Sequence, residues 1–313
     1  MNTINKITEK QDVMKLDQIE KQARFPYQFF VVTFVWSWLV WLPLVLASVG
    51  ILPIGKDLLS ALTVPVTIVG VFGPAAGTFY CLKTLHGKGA IRQYLRGLLD
   101  FRLGWRAWLL PILVLGGSTW IAWILPELWG EPRVEMYLPS VWVFPPYLLS
   151  QILLGGGQEE LGWRGYILDP MEARLGAWLG NLVLGVIWAC WHLPLYFIQG
   201  SAQTFMPFAG FLFMIVGYSW FHAYVRQASG KRTWAGLISH GWANAFVPLF
   251  PTVVMVAGAA QTRYWIWVGL TFVIGLITMA LSEAQLQRRI RLLVAFFRQV
   301  PHLPVTPAVR RLD

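Results

Sequence analysis

The sequence predicts an all-α protein, a polytopic membrane helix bundle with about eight transmembrane helices. Three observations carry this. Hydrophobic residues make up 56% of the 313-residue chain and charged residues 13%, with a mean hydropathy of +0.55; a soluble domain carries about 25% charged residues. The apolar residues are gathered into stretches of about 20, the length needed to cross a hydrocarbon core. Lys and Arg are concentrated at alternate junctions between those stretches.

In chain order, residues 1–26 read as a polar tail, 27–283 as the bundle and 284–313 as a basic tail. The expected spans are 27–52, 58–82, 106–126, 141–163, 180–199, 205–225, 234–251 and 263–283. The seventh is short and carries His240 and Asn244. Of the 25 basic residues, 22 fall in the N-terminal tail, the second loop, the regions around Arg164 and Arg226, and the C-terminal tail. Only Lys56, Arg133 and Arg263 fall on the other side. Basic residues collect on the cytoplasmic side, so both termini are expected in the cytoplasm of a multi-pass cell membrane protein.

Two segments outside the spans have amphipathic patterns. Residues 86–104 set Ile91, Leu95 and Leu98 on one face and Arg92 and Arg96 on another, and 284–299 is similar. Both suit helices lying in the cytoplasmic interface. The net charge of +10 is accounted for by this topology and by attraction to anionic headgroups. No nucleic-acid partner is expected; membrane lipid is. The first 24 residues lack an apolar signal-peptide core. Cys81 and Cys190 give neither a disulfide framework nor metal-ligand spacing.

Polar residues inside the apolar stretches are the candidates for function, because a charge at mid-membrane costs roughly 2.5–3.5 kcal/mol. Apart from Glu283 at the very end of the last span, Glu159 and Glu160 are the only acidic residues placed within spans. Residues four apart share a helix face, so Glu160 can pair with Arg164, while Glu159 turns away beside Trp163. A salt bridge accounts for Glu160 and leaves Glu159 free for chemistry. In the fifth span His192 follows Trp188 by four, and in the seventh Asn244 follows His240 by four. His222, four before Arg226, reads as interfacial. By helical rise, His240 and Asn244 lie roughly 9–15 Å inside and Glu159 about 13 Å, if its helix ends at Leu168. His192 then matches that depth only if its span begins near Leu182 rather than Gly176. The four residues Glu159, His192, His240 and Asn244 are expected to meet in one cavity reachable from the cytoplasmic side.

These motifs resemble the type II CAAX prenyl endopeptidase and bacteriocin-processing family of intramembrane glutamic proteases. The family pattern is Glu-Glu-x-x-x-Arg, an aromatic residue four before a His, then His-x-x-x-Asn. Here it reads Glu159-Glu160-Leu-Gly-Trp-Arg164, Trp188-x-x-x-His192 and His240-x-x-x-Asn244. Trp188 stands where Phe is usual, a replacement that reads as mild.

The resemblance implies an endopeptidase that hydrolyses a peptide bond in a membrane-embedded cavity. Glu159 and His192 would activate a water, His240 and Asn244 would stabilise the oxyanion, and Glu160 and Arg164 would support the site. It implies a peptide or protein substrate, lipidated or not, and no cofactor. Two alternatives stay open. Glu159, His192 and His240 could hold a zinc with an open position, or the protein could be a non-catalytic immunity or binding relative. A transporter is the competing class for mid-membrane polar groups, but the chain shows no internal repeat.

Overall fold

The computed structural model describes residues 25–299, with side chains over 25–282. The expected tail 1–26 lies outside the described residues except for Phe25 and Pro26. Of the expected tail 284–313, only the backbone of 284–299 is described, and there it continues the last helix.

The described residues are helical, without a strand. The long elements are α1 (Gln28–Ser48), α2 (Lys56–Gly70), α3 (Gly73–Thr84), α4 (Ala90–Gly97), α5 (Arg106–Trp129), α6 (Phe144–Leu153), α7 (Leu168–Trp191), α8 (Phe208–Ala228), α9 (Thr233–Leu249) and α10 (Thr262–Gln299). Six stretches are long and apolar enough to cross a membrane: Gln28–Ser48, Lys56–Thr84, Arg106–Trp129, Val141–Phe197, Phe208–Ala228 and Thr262–Ser282. Val141–Phe197 takes in two expected spans. The seventh expected span is α9, which at 17 residues is not among the six.

The arrangement is that of a multi-pass membrane protein. Small and polar side chains of α1 face inward, with Thr33 and Ser37 wholly buried, while Val35, Trp38 and Leu39 face out. Small residues let the backbones come close. Gly73 and Gly77 of α3 sit against Ser37 and Thr33, where a Cβ would collide with α1. Pro74 opens α3, where its missing N–H has no intrahelical acceptor to lose. α8 is the most enclosed candidate span and packs on α7, α9 and α10. Its Gly217 meets Gly275 of α10 backbone to backbone. α4 is short and has no buried residue, which fits the expected interfacial helix.

The region from α6 to α7 departs from a simple pair of spans. After α6 the chain makes a 3-10 turn at Gly157–Glu159, an α turn at Glu160–Gly162 and a π-helical turn at Trp163–Ile167. The wider turn precedes Pro170, whose ring would otherwise clash with the helix behind it. The helix then runs past Leu168 and breaks at Gly176, whose φ of 74° is a left-handed conformation suited to glycine. Sixteen residues separate Glu159 from Leu175 and fifteen separate Ala177 from His192. The two arms of this hairpin therefore rise by about the same amount, roughly 23 Å. This equality corrects the expected depths. The helix after Glu159 does not stop at Leu168, so His192 reaches the level of Glu159 with its own helix starting just after Gly176.

Candidate active site

The turn at 155–160 places the two glutamates on different sides. Glu159 Oε2 accepts from the indole Nε1 of Trp188 at 2.8 Å and of Trp163 at 3.2 Å. Glu160 Oε1 accepts from Arg164 Nη1 at 2.9 Å and from His240 Nδ1 at 3.0 Å. Glu160 and Arg164 are wholly buried. The Arg164 guanidinium also lies 4.6 Å from the Trp188 ring centroid, a cation–π contact. The expected Glu160–Arg164 pair is present, and so is the neighbouring of Glu159 and Trp163.

Trp188 joins the parts. Its indole holds Glu159, its carbonyl accepts from His192 Nδ1 at 2.8 Å, and its ring meets the His240 ring edge-on. A carbonyl can only accept, so His192 Nδ1 carries the proton and Nε2 keeps the lone pair. A Phe at 188 could neither donate to Glu159 nor be called equivalent; the replacement is not mild in this chain.

Asn244 Nδ2 donates to the Gly155 carbonyl at 2.8 Å, which leaves its second N–H available. Gly156 has φ 139°, and a Cβ there would come 2.4 Å from Asn244 Nδ2 and 2.8 Å from His240 Nε2. The backbone therefore passes directly beside the two side chains, and only glycine fits.

One cavity of about 410 Å³ is lined by Glu159, Trp188, His192, His240 and Asn244 together. All four expected catalytic residues meet there; Glu160 and Arg164 stand behind, outside its lining. The cavity does not run toward the basic end of the bundle as expected. It extends past Tyr147, Phe211 and Val247 to Tyr137, Gln203 and Met255, in the loops at the opposite end. Toward the basic end the way is filled by Arg164, Ile167 and Leu168, all but inaccessible. The departure follows from the fold: the α6–α7 turn brings chain under Glu159 from that side.

His222 is a second correction. It is fully buried rather than interfacial, with Nδ1 2.7 Å from Ser239 Oγ. Its ring stacks on His240 at 5.5 Å and on Tyr218 at 5.4 Å. Arg226, one turn below, is the residue nearer the end, where Nη1 and Nη2 donate to Asp169 at 3.0 and 2.9 Å. Sequence reasoning missed Gly156, the donor role of Trp188 and the stack behind His240. The run Gly155-Gly156-Gly157 was a visible signal for the first; the others depend on helix packing.

Among the described residues, no three His, Cys, Asp or Glu side chains are grouped to hold a metal. Of the three residues considered as zinc ligands, Glu159 Oε2, His192 Nδ1 and His240 Nδ1 each have a protein partner.

Residues 140–246 match the family model "Type II CAAX prenyl endopeptidase Rce1-like". A segment of 56 residues is 39% identical to CAAX prenyl protease 2 of Methanococcus maripaludis, covering 18% of this chain and 21% of that protein. The chain thus matches about a fifth of the length of that relative. Glu159, Glu160, Arg164, Trp188, His192, His240 and Asn244 all fall within the matched 140–246, and in that region the chain is similar to the type II CAAX prenyl endopeptidases.

Proposed function

We propose that the protein is an intramembrane endopeptidase of the CAAX-protease type. The observation that carries this is the convergence of Glu159, His192, His240 and Asn244 on one cavity, with Trp188 gripping both Glu159 and His192. A water held between the Glu159 carboxylate and His192 Nε2 gives its proton to Glu159 and attacks the scissile carbonyl. The carbonyl π electrons move to oxygen. That oxyanion accepts from the second N–H of Asn244 and from His240 Nε2–H; such donors each contribute roughly 3 kcal/mol to transition-state stabilisation. His240 already gives Nδ1–H to Glu160, so it donates from Nε2 as an imidazolium with Glu160 as counter-ion. Collapse of the intermediate breaks the C–N bond, and Glu159 passes its proton to the leaving amine.

The substrate is a peptide or protein, lipidated or not, and the surroundings are bilayer lipid. Eight spans with both termini cytoplasmic remain the preferred topology. Val141–Phe197 is long enough for two passes, and the 17 residues of α9 rise about 26 Å.

The test measures metal content and peptide cleavage on the same proteoliposome sample. Cleavage should survive dialysis against a strong chelator, with zinc well below one equivalent per chain. Stoichiometric zinc that tracks activity would replace this mechanism with a metal-dependent one. Absence of cleavage of membrane peptides, with the fold intact, would favour the binding or immunity reading.

A further inference from the structure

The segment between α3 and α5 lies along the end of the bundle. Gly87 and Gly89, with φ of 81° and 102°, turn the chain sideways where α3 ends and let α4 begin at Ala90. The stretches on either side, Lys56–Thr84 and Arg106–Trp129, are long and apolar enough to cross a membrane, so α4 sits at the level where they leave it. By helical spacing Ile91, Leu95 and Leu98 form one stripe, and Arg92 and Arg96, four apart, stand side by side on its flank. A helix of eight residues is marginal in water, and the protein buries none of these eight. An open groove of about 730 Å³ runs between the stripe and Trp234 at the start of α9, with both arginines on its wall. Leu95, Leu99 and Phe101 are exposed beside it, Leu99 by 73%.

The charge on this wall has no counter-charge in the protein. Asp100 is the one acidic residue in 83–106, and it is committed to Arg102 at 2.9 Å and Arg232 at 3.1 Å. Asp169, at the same end, is taken by Arg226 and Lys231. Arg92 and Arg96 are exposed, and among the described residues neither side chain has an ion pair or a hydrogen bond. Two guanidinium forks one turn apart match a phosphodiester, and the exposed stripe beside them matches acyl chains. A soluble phosphate would leave Leu95, Leu99 and Phe101 uncovered. An apolar peptide would leave the two arginines unmatched.

The groove is joined on both sides to the elements that carry the site. Tyr94 of α4 donates from Oη to the Leu161 carbonyl at 2.6 Å, in the turn that follows Glu160. The same hydroxyl fills the space over Gly165, where a Cβ would come 2.5 Å from it. On the other side Trp234 Nε1 donates to the Leu98 carbonyl at 2.7 Å, and its ring packs on Phe101. Trp234 is six residues before His240 on α9. The groove thus lies between the two elements that meet at the Glu160–His240 contact.

We propose that this groove binds one anionic phospholipid of the surrounding bilayer, its phosphate between Arg92 and Arg96 and an acyl chain along Leu95, Leu99 and Phe101, and that the bound lipid steadies the turn at 160–162. The lipid site does not depend on the peptidase reading, and none of its readouts is cleavage. Purified protein in detergent micelles holding equal phosphatidylglycerol and phosphatidylcholine is measured by native mass spectrometry. The parent should retain phosphatidylglycerol in preference. Replacing both arginines, Arg92→Gln with Arg96→Gln, should cut that preference by about tenfold or more, since each basic group at an anionic surface is worth roughly fivefold. Lys83→Gln with Lys88→Gln removes the same charge from the same loop and should leave the preference nearly unchanged. Equal losses in the two pairs would mean a diffuse basic field and no site. Equal retention of the two lipids by the parent would overturn the headgroup assignment. Amide hydrogen exchange tests the link to the turn. Phosphatidylglycerol should slow exchange over 158–166 severalfold in the parent and not in Tyr94→Phe, which should still retain the lipid. Exchange in the parent that ignores the lipid would overturn that link.

Discussion

Glu159 and Glu160 are adjacent in the chain and sit in opposite surroundings. Glu159 faces the cavity and is held by two neutral indole N–H groups. Glu160 faces the closed side and is held by a guanidinium and an imidazole. Neutral donors fix a carboxylate in place without cancelling its charge, so Glu159 keeps its capacity to take a proton. Charged partners commit a carboxylate to an ion pair, and breaking a buried ion pair leaves an uncompensated charge. On the proposed mechanism, one is therefore arranged for reaction and the other for holding the reactive geometry.

The largest expected effect tests the first half of this contrast. Glu159→Gln should reduce cleavage by about 10³-fold or more, the upper range for a lost general base. Its thermal unfolding should stay close to that of the parent, because Gln can still accept from both indoles. A comparable loss of stability would mean that Glu159 is only a helix tie.

Glu160→Gln should behave in the opposite manner. Arg164 would be left buried without its counter-charge, at a cost of about 3–5 kcal/mol. Detergent unfolding should show this directly, and cleavage should fall with the folded fraction and with the positioning of His240. If the two variants unfold alike, the division of labour is wrong.

Trp188→Phe sharpens the comparison from the Glu159 side, since Phe is the usual family residue there. It removes one hydrogen bond to a carboxylate, worth about 1.5–3 kcal/mol. We expect kcat to fall at least tenfold, with KM little changed and a displaced pH–rate profile. Trp163→Phe, which removes the longer bond, should do less. An unchanged pH profile in Trp188→Phe would reduce Trp188 to a packing residue.

A carboxylate nearer the surface gives the smallest effect and a reference for the buried pair. Hydrogen bonds from Arg102 and Arg232 hold the Asp100 carboxyl well below the usual carboxylate range. The folded state thus binds this proton less readily than the unfolded chain. Its stabilising contribution is complete above the unfolded value, about pH 4, and is lost as the pH falls through the lower folded value. The gap in melting temperature between the parent and Asp100→Asn should be small at pH 7 and shrink below about pH 4. A gap that grows on acidification would contradict the assignment.

The parts of the fold legible in the sequence were those set by solvent. Long apolar runs mark helices that must satisfy their own backbone groups in lipid, and the charge costs of the bilayer single out Glu159, Glu160, His192, His240 and Asn244. The helical repeat alone pairs Glu160 with Arg164. What failed depended on contacts between distant segments. The helix after Glu159 was expected to end at Leu168, and a π-helical turn before Pro170 precedes its continuation to Leu175. His222 looks interfacial because Arg226 follows it, yet α8 is enclosed and stacks that ring on His240 of α9. The direction of the cavity needed the loop positions, which hydropathy does not encode.

The contact between Gly217 and Gly275 bears on how the protein yields to a substrate. At that crossing α8 and α10 meet without an intervening side chain. No rotamer change there can widen the gap, and any sliding would drive backbone atoms into one another. The wall carrying Phe211 and Met214 is therefore stiff along its length. Accommodation of a bulky guest falls to the loops 198–207 and 250–261, whose hydrogen bonds are largely within each loop. On the proposed peptidase reading, tolerance for substrate size is then written in the rim, and engineering that tolerance should begin with loop length rather than with the helices.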